Sequence, residues 1–423
     1  MKTFILLPTG IADVPVAALD GRTPLQAANT PHLDRLARES RLGLVRQVPD
    51  GLRNSSDVAV LSVLGYDPRR TRVARGATEA AGMGVRLADD DLAFRLNFVS
   101  TFRGALVDFS AGHIGGVEAR LLIEALQAEL GDGRFGSDGA PRFSFHPGLG
   151  YRNLLVLHGG RGRNIETVPP QEVQGHAIAD YLPYGPDAAL LLPLLERAAE
   201  VLAAHDINRV RVDLGENPAD RIWPWGGGSR SDIEPFAVRT GRSLAVVAAV
   251  PLVRGLGVMV GAETPLVPGA TGHYDTDWVA KLRRALAELE THDVVVLHLA
   301  AANEACHETD VRLKIRVIEE MDRFIVGPLL TALRARGDSR LLLTTDHMTS
   351  TIEREQSTTH VPFALWGPGF QPVRSGRFTE EHSAGGDLHV EEGHSLLEFA
   401  MSGALPTRAP PPASGALAAG AAS

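Results

Sequence analysis

The chain of 423 residues contains a single cysteine, Cys306. No intrachain disulfide can form, so a reducing compartment such as the cytoplasm is the expected setting. No apolar stretch approaches the ~20 residues that a membrane-spanning helix needs. The N-terminal run Phe4-Ile5-Leu6-Leu7 is too short for the apolar part of a secretion signal, and no small-residue cleavage site follows it. Basic excess is missing too, since 42 Lys and Arg stand against 51 Asp and Glu, for a net charge of −9. A protein that grips nucleic acid by neutralising its backbone needs the opposite balance. Nucleic-acid and membrane partners are therefore not expected, whereas a local basic pocket for a small anion stays open.

What is present fits a soluble globular protein, with 44% hydrophobic and 22% charged residues. The length exceeds what one hydrophobic core usually supports, so two domains are expected. Thr3 to Leu7 reads as a buried strand stopped by Pro8-Thr9-Gly10, and Thr30-Pro31 reads as a helix start with a hydroxyl cap. Leu42 to Val48 is a second strand. The polar turn at Arg53 to Val58 leads into an apolar run, which places Ser56 at or beside a helix N-terminus. Later, Leu244 to Val250, Val294 to Leu299 and Leu341 to Thr345 read as strands, Asp277 to Leu289 as a helix, and Arg312 to Leu333 as one long helix. Strands and helices alternating in this way predict an α/β fold with a parallel sheet covered on both faces. Sites in such folds collect at the carboxyl ends of strands. Thr9, Asn303 to His307, and Asp346-His347 all follow strands.

Residues 72–240 have a different texture. Helical patterns at Val117 to Leu130 and Leu190 to Leu202 mix with a strand-like Leu154 to Leu157 and a Gly/Pro-rich stretch, Trp223 to Gly228, read as a loop. This region is expected to be an inserted second α/β domain, with residues 1–71 and 241–405 forming the first. The Pro-, Ala- and Gly-rich tail, 406–423, is expected to be disordered.

Individually, the polar residues have ordinary explanations. Asp346-His347 puts an oxygen and a nitrogen ligand side by side at a sheet edge, yet such pairs are commonly just solvated. Asn303 and His307 are four residues apart, on one face of a helical turn. Ser56 at a helix N-terminus faces amide donors that suit a phosphate, but capping serines are frequent there. Arg75, Arg95, His113, Arg152 and Arg254 would suit phosphate or carboxylate, or would form structural ion pairs.

In order along the chain, longer segments add specificity. They include Leu19-Asp20-Gly21-Arg22-Thr23-Pro24-Leu25 continuing to Pro31, Ser56-Asp57-Val58-Ala59 with Leu64-Gly65-Tyr66-Asp67-Pro68, and Asp108-Phe109-Ser110-Ala111-Gly112-His113-Ile114. Ile178 to Pro183, Val267 to Gly272, Ile318 to Arg323 and Val361 to Leu365 complete the set. From Met1 to about Leu405 the chain resembles the archaeal-type cofactor-independent phosphoglycerate mutases and their bacterial relatives, in the alkaline phosphatase superfamily.

The resemblance implies a metal domain carrying two divalent cations, usually manganese, and a serine that accepts the phosphoryl group. It also implies an inserted domain holding the glycerate. By match, Ser56 is the nucleophile, and Ser56, His307, Asp346 and His347 occupy ligand positions. Thr9, Asn303 and Gln356 stand where the family has aspartate, aspartate and histidine. Arg95, His113 and Arg152 are the expected substrate contacts. With one matched carboxylate remaining, the centre is expected to hold two cations, one or none, unless Asp13, Asp57, Glu304, Glu308 or His360 compensates. The implied partner is a small phosphorylated metabolite. The expected activity is interconversion of 2- and 3-phosphoglycerate. The alternatives are a non-catalytic relative that binds such a metabolite or a protein, a homoserine-kinase-like transferase, and a metal-poor enzyme with new chemistry. Oligomeric state is not readable.

Overall fold

The computed structural model describes residues 1–136, 141–353, 356–372 and 376–404; the 406–423 tail lies outside them. Two compact units emerge. One comprises the described residues of Met1–Arg70, Arg242–Val247 and Leu266–Ser423, the other those of Thr71–Gly241 and Ala248–Pro265.

The first unit is built on a seven-stranded sheet. Its order is Leu388–Val390, Arg41–Val45, Val361–Trp366, Ser339–Thr344, Lys2–Pro8, Val294–Leu299, Leu244–Val247. The four strands from Ser339–Thr344 to Leu244–Val247 are mutually parallel. Their central residues Phe4 to Leu7, Val294 to Leu297 and Leu341 to Leu343 are fully buried, as a sheet covered on both faces requires. The sheet is mixed, however, because Val361–Trp366 runs antiparallel to both of its neighbours.

The expected long helix at 312–333 is interrupted. Val311–Met321 passes through a wide π-type turn at Asp322–Val326 and resumes at Gly327–Arg336. Pro328 explains the break, since it has no N–H to donate and its ring crowds the carbonyl a turn earlier. The turn also places Asp322. Its carboxylate accepts the backbone N–H of His32 at 3.1 Å and of Leu33 at 2.7 Å. It therefore caps helix Pro31–Arg38, the role expected of Thr30, whose side chain makes no capping bond.

The second unit carries an antiparallel sheet in which Leu92–Phe102 pairs with Ala105–Asp108, Arg152–His158 and Arg221–Gly228, and Arg152–His158 pairs with Arg142–Leu149. Trp223 to Gly228, expected as a loop, is thus a strand. Helices Gly116–Leu130 and Leu192–Ala204 cover one face through Leu122, Leu126, Leu194 and Ala198. Residues 248–265, expected with the first unit, pack here because helices Arg75–Met83 and Pro251–Met259 touch backbone to backbone. A Cβ at Gly82 would lie 1.8 Å from the Pro251 carbonyl oxygen, and one at Gly255 1.8 Å from that of Thr78.

Candidate functional site

Three adjacent parallel strands deliver the expected residues at their carboxyl ends. Lys2–Pro8 leads to Thr9, Val294–Leu299 to helix Ala301–His307, and Ser339–Thr344 to Asp346-His347. The Thr9 N–H donates to the Leu299 carbonyl at 2.9 Å. Gly10, at φ 73°, lets the turn press on the next segment, for a Cβ there would meet the Asn303 Cα at 2.5 Å.

Ser56 is the first residue of helix Ser56–Val63. Its Oγ lies 3.3 Å from His347 Nε2. His347 is buried and its Nδ1 pairs with Thr349 Oγ1 at 2.9 Å. Asp346 is buried as well; its Oδ1 accepts the His347 N–H at 2.9 Å and the Thr345 hydroxyl at 3.2 Å. Its Oδ2 is 3.0 Å from His347 Nε2 but has no hydrogen-bond donor. Burial alone would raise this carboxyl's pKa, but the neighbouring His347 ring and the His347 backbone N–H hold it below the usual carboxylate range.

Thr9, Asn303 and His307 form a second group. The Thr9 hydroxyl donates to the Leu299 carbonyl at 3.3 Å. Asn303 Nδ2 donates to His307 Nε2 at 3.3 Å, while Asn303 Oδ1 is buried without a partner. The Gln356 backbone pairs with Thr349.

Three of the possible compensating groups have partners of their own. Asp13 forms a fully buried ion pair with Lys314 at 2.7 Å, His360 lies 3.0 Å from Glu391, and Glu304 lies 3.8 Å from His273. Glu308 is exposed.

The residues therefore fit one cation, not two. An unpartnered buried carboxylate oxygen, an imidazole nitrogen and a serine hydroxyl at Asp346, His347 and Ser56 make a credible hard-cation donor set. The second group offers neutral oxygens and a histidine whose ring nitrogen already accepts a hydrogen bond. Four positive charges facing one carboxylate would be poorly offset. Among the described residues, no group of three or more His, Cys, Asp and Glu side chains is arranged to hold a metal.

Sequence reasoning missed two groups beside this site. His298, in the middle of an apolar strand, is pushed down to about 3 by burial and then by the charge of Lys281, against the pull of Asp346. Burial lowers Lys281 itself to about 8. His298 sits in an apolar strand and Lys281 among the polar residues of an amphipathic helix, where nothing in the local pattern marks either.

In the second unit, Arg95 is buried and donates to Glu79 at 2.6 Å and Asn97 at 3.0 Å. Arg75 donates to the same Glu79 oxygen at 2.7 Å. Both guanidinium groups face the Trp225 ring, at 5.4 Å and 5.5 Å. Arg152 stacks on Tyr151 at 5.0 Å, and His113, at φ 52°, meets the same ring edge-on at 5.9 Å. The structure thus brings His113 and Arg152 together on Tyr151, whereas Arg95 is tied into a buried ion pair. Arg254 lies on helix Pro251–Met259; its Nε has no hydrogen-bond partner, and burial lowers its pKa.

Comparison with known proteins agrees with this architecture. A family model described as 2,3-bisphosphoglycerate-independent phosphoglycerate mutase matches residues 37–208. A protein of that name from Methanothrix thermoacetophila is 42% identical over 95% of this chain and all of its own length. A probable one from Geobacter sulfurreducens is 41% identical, again over 95% of this chain and its own full length. Among solved structures, the cofactor-independent phosphoglycerate mutase from Thermoplasma acidophilum is 26% identical with a TM-score of 0.59, covering 95% of this chain and 99% of its own. A protein from Pyrococcus horikoshii superposes with a TM-score of 0.77 at 28% identity, covering 96% of this chain and 99% of its own. The chain belongs to the 2,3-bisphosphoglycerate-independent phosphoglycerate mutase family.

Proposed function

We propose that this chain moves a phosphoryl group between the 2- and 3-hydroxyls of glycerate through a phosphoserine at Ser56. The observation that carries the reading is the placement of Ser56. Its hydroxyl stands at the start of an eight-residue helix, within 3.3 Å of His347 Nε2, at the carboxyl edge of the sheet. The N–H groups of the first helical turn point the way a helix N-terminus offers to phosphoryl oxygens, and the imidazole orients the hydroxyl. In the first half-reaction the bond from phosphorus to the glycerate oxygen breaks as the bond to Ser56 Oγ forms, and the serine proton passes to the departing glycerate oxygen; in the second the phosphoserine bond breaks as the other glycerate hydroxyl attacks, and that hydroxyl's proton returns to Ser56. A divalent cation, manganese for preference, held by Asp346, His347 and Ser56 would ease alkoxide formation and offset phosphoryl charge. His113 and Arg152 are the proposed contacts for the substrate's anionic groups. A single, buried cysteine suits a cytoplasmic location, and no helix among the described residues is long and apolar enough to cross a membrane.

A second reading is favoured by one observation, the Asn303–His307 pairing in ligand positions. It makes the chain a relative that binds a phosphorylated metabolite without turning it over. The deciding test couples 2-phosphoglycerate formation from 3-phosphoglycerate to enolase, with manganese supplied. Turnover that falls about a thousandfold or more in Ser56→Ala supports the mutase. Binding of 3-phosphoglycerate with no turnover by the wild type sinks it.

A further inference from the structure

The second unit holds a group of side chains that none of this chemistry uses. Strands Arg142–Leu149 and Arg152–His158 pair so that Ser144 lies opposite Val156 and Arg142 opposite His158. Phe143 and Phe145 enter the core on one face, so Ser144 and His146 emerge on the other, with His158. There, Ser144 Oγ lies 3.0 Å from His146 Nε2 and 2.9 Å from His158 Nε2. His158 Nδ1 lies 3.0 Å from Asp91 Oδ1, and Asp91 Oδ2 accepts the Ala88 N–H at 3.1 Å. A carboxylate at Nδ1 fixes the proton there and turns the Nε2 lone pair toward the hydroxyl.

We propose that His146, His158 and Ser144 form a binding site for one transition-metal cation of the zinc type, with Asp91 as the orienting partner of His158. Both imidazole Nε2 atoms lie within 3.0 Å of the one Ser144 oxygen, so three donor atoms of the kind a cation takes meet at one point of the sheet face. In a tetrahedral site with bonds of about 2.0–2.1 Å, neighbouring donors sit about 3.3–3.4 Å apart. The observed separations of 2.9 and 3.0 Å need to open by about half an ångström or less. The Asp91–His158 contact matches the carboxylate–imidazole pairing that raises a ligand's basicity. With two imidazoles, one hydroxyl and water to complete the shell, the site selects borderline metals over magnesium or calcium. It is independent of the Ser56 centre, which offers a carboxylate to harder ions.

The test is a zinc titration of the full chain against a chromophoric chelator, with equivalents counted by elemental analysis. The expected result is that His146→Ala/His158→Ala loses one equivalent that His347→Ala retains. Asp91→Asn should keep that equivalent but bind it about 10–100-fold more weakly. If the double variant does not fold, cobalt replaces zinc as the probe, and the visible band of a four-coordinate site should vanish in His146→Gln. Unchanged zinc equivalents and affinity in the folded variants overturn the proposal. So does labelling of Ser144 by a fluorophosphonate with no His146-dependent metal, which would assign the trio to an activated serine instead.

Discussion

The two ligand groups of the first unit lie on neighbouring strand ends, yet their chemistry differs. At Asp346, His347 and Ser56, a buried carboxylate keeps one oxygen without a hydrogen-bond donor, and the His347 ring and backbone N–H beside it hold its pKa low. At Thr9, Asn303 and His307 no carboxylate is present: the Thr9 hydroxyl donates to the Leu299 carbonyl and the Asn303 amide to His307. Neutral amide and hydroxyl fill nearly the space of a carboxylate, so the backbone turn at Gly10 survives while the charge that would hold a cation does not. Shape and charge have come apart at one strand end and stayed together at the next.

The largest effect expected is at the charged end. Asp346→Ala should abolish retained manganese, measured by elemental analysis after saturation and desalting, and leave background turnover. Retention in that variant would place the cation elsewhere. The second largest concerns the support beneath both groups. Lys314 donates to Asp13 and to the Thr349 carbonyl, and Thr349 Oγ1 in turn contacts His347. Lys314→Ala strands a buried carboxylate and should cost about 3–5 kcal/mol in urea unfolding. Lys314→Met with Asp13→Leu should recover much of that loss.

A smaller effect sits behind the charged end. Lys281 is lowered to about 8, chiefly by burial, so the folded state binds its proton less tightly than the unfolded chain does. The penalty is fully present below pH 8 and disappears as pH rises toward the unfolded value of about 10.4. Wild-type stability should therefore gain a component across that window, and Lys281→Met should lack it in pH-dependent unfolding. The smallest effect is the most informative for the comparison. Thr9→Asp with Asn303→Asp should add a second, weakly held manganese equivalent; no gain would mean that charge alone does not separate the two groups.

Much of this site was legible in the sequence because its residues follow apolar runs directly. Local pattern placed Asp346-His347 after an apolar strand and Ser56 at or beside a helix start, while their expected roles came from the family resemblance. The inner strands were legible for the same reason. What escaped depends on partners far apart in sequence. Asp13 and Lys314 are separated by 301 positions, and nothing near either announces a buried ion pair. The Trp223 to Gly228 strand escaped because its glycines and proline mimic a loop, and only pairing with Leu92–Phe102 makes it extended. The antiparallel direction of Val361–Trp366 likewise has no local signature.

The Asp322 cap bears on how the protein assembles. The helix at Pro31–Arg38 is completed by a carboxylate 290 positions later, with the whole second unit encoded between them. During synthesis that helix emerges with its leading amides facing only water, and it acquires its cap after the intervening unit has left the ribosome. Long-range closure of this kind slows folding, because the loop must be ordered before the contact rewards it. A chain interrupted before residue 322 would hold an N-terminal segment that cannot finish its own first layer, which makes that residue a late checkpoint on the integrity of the fold.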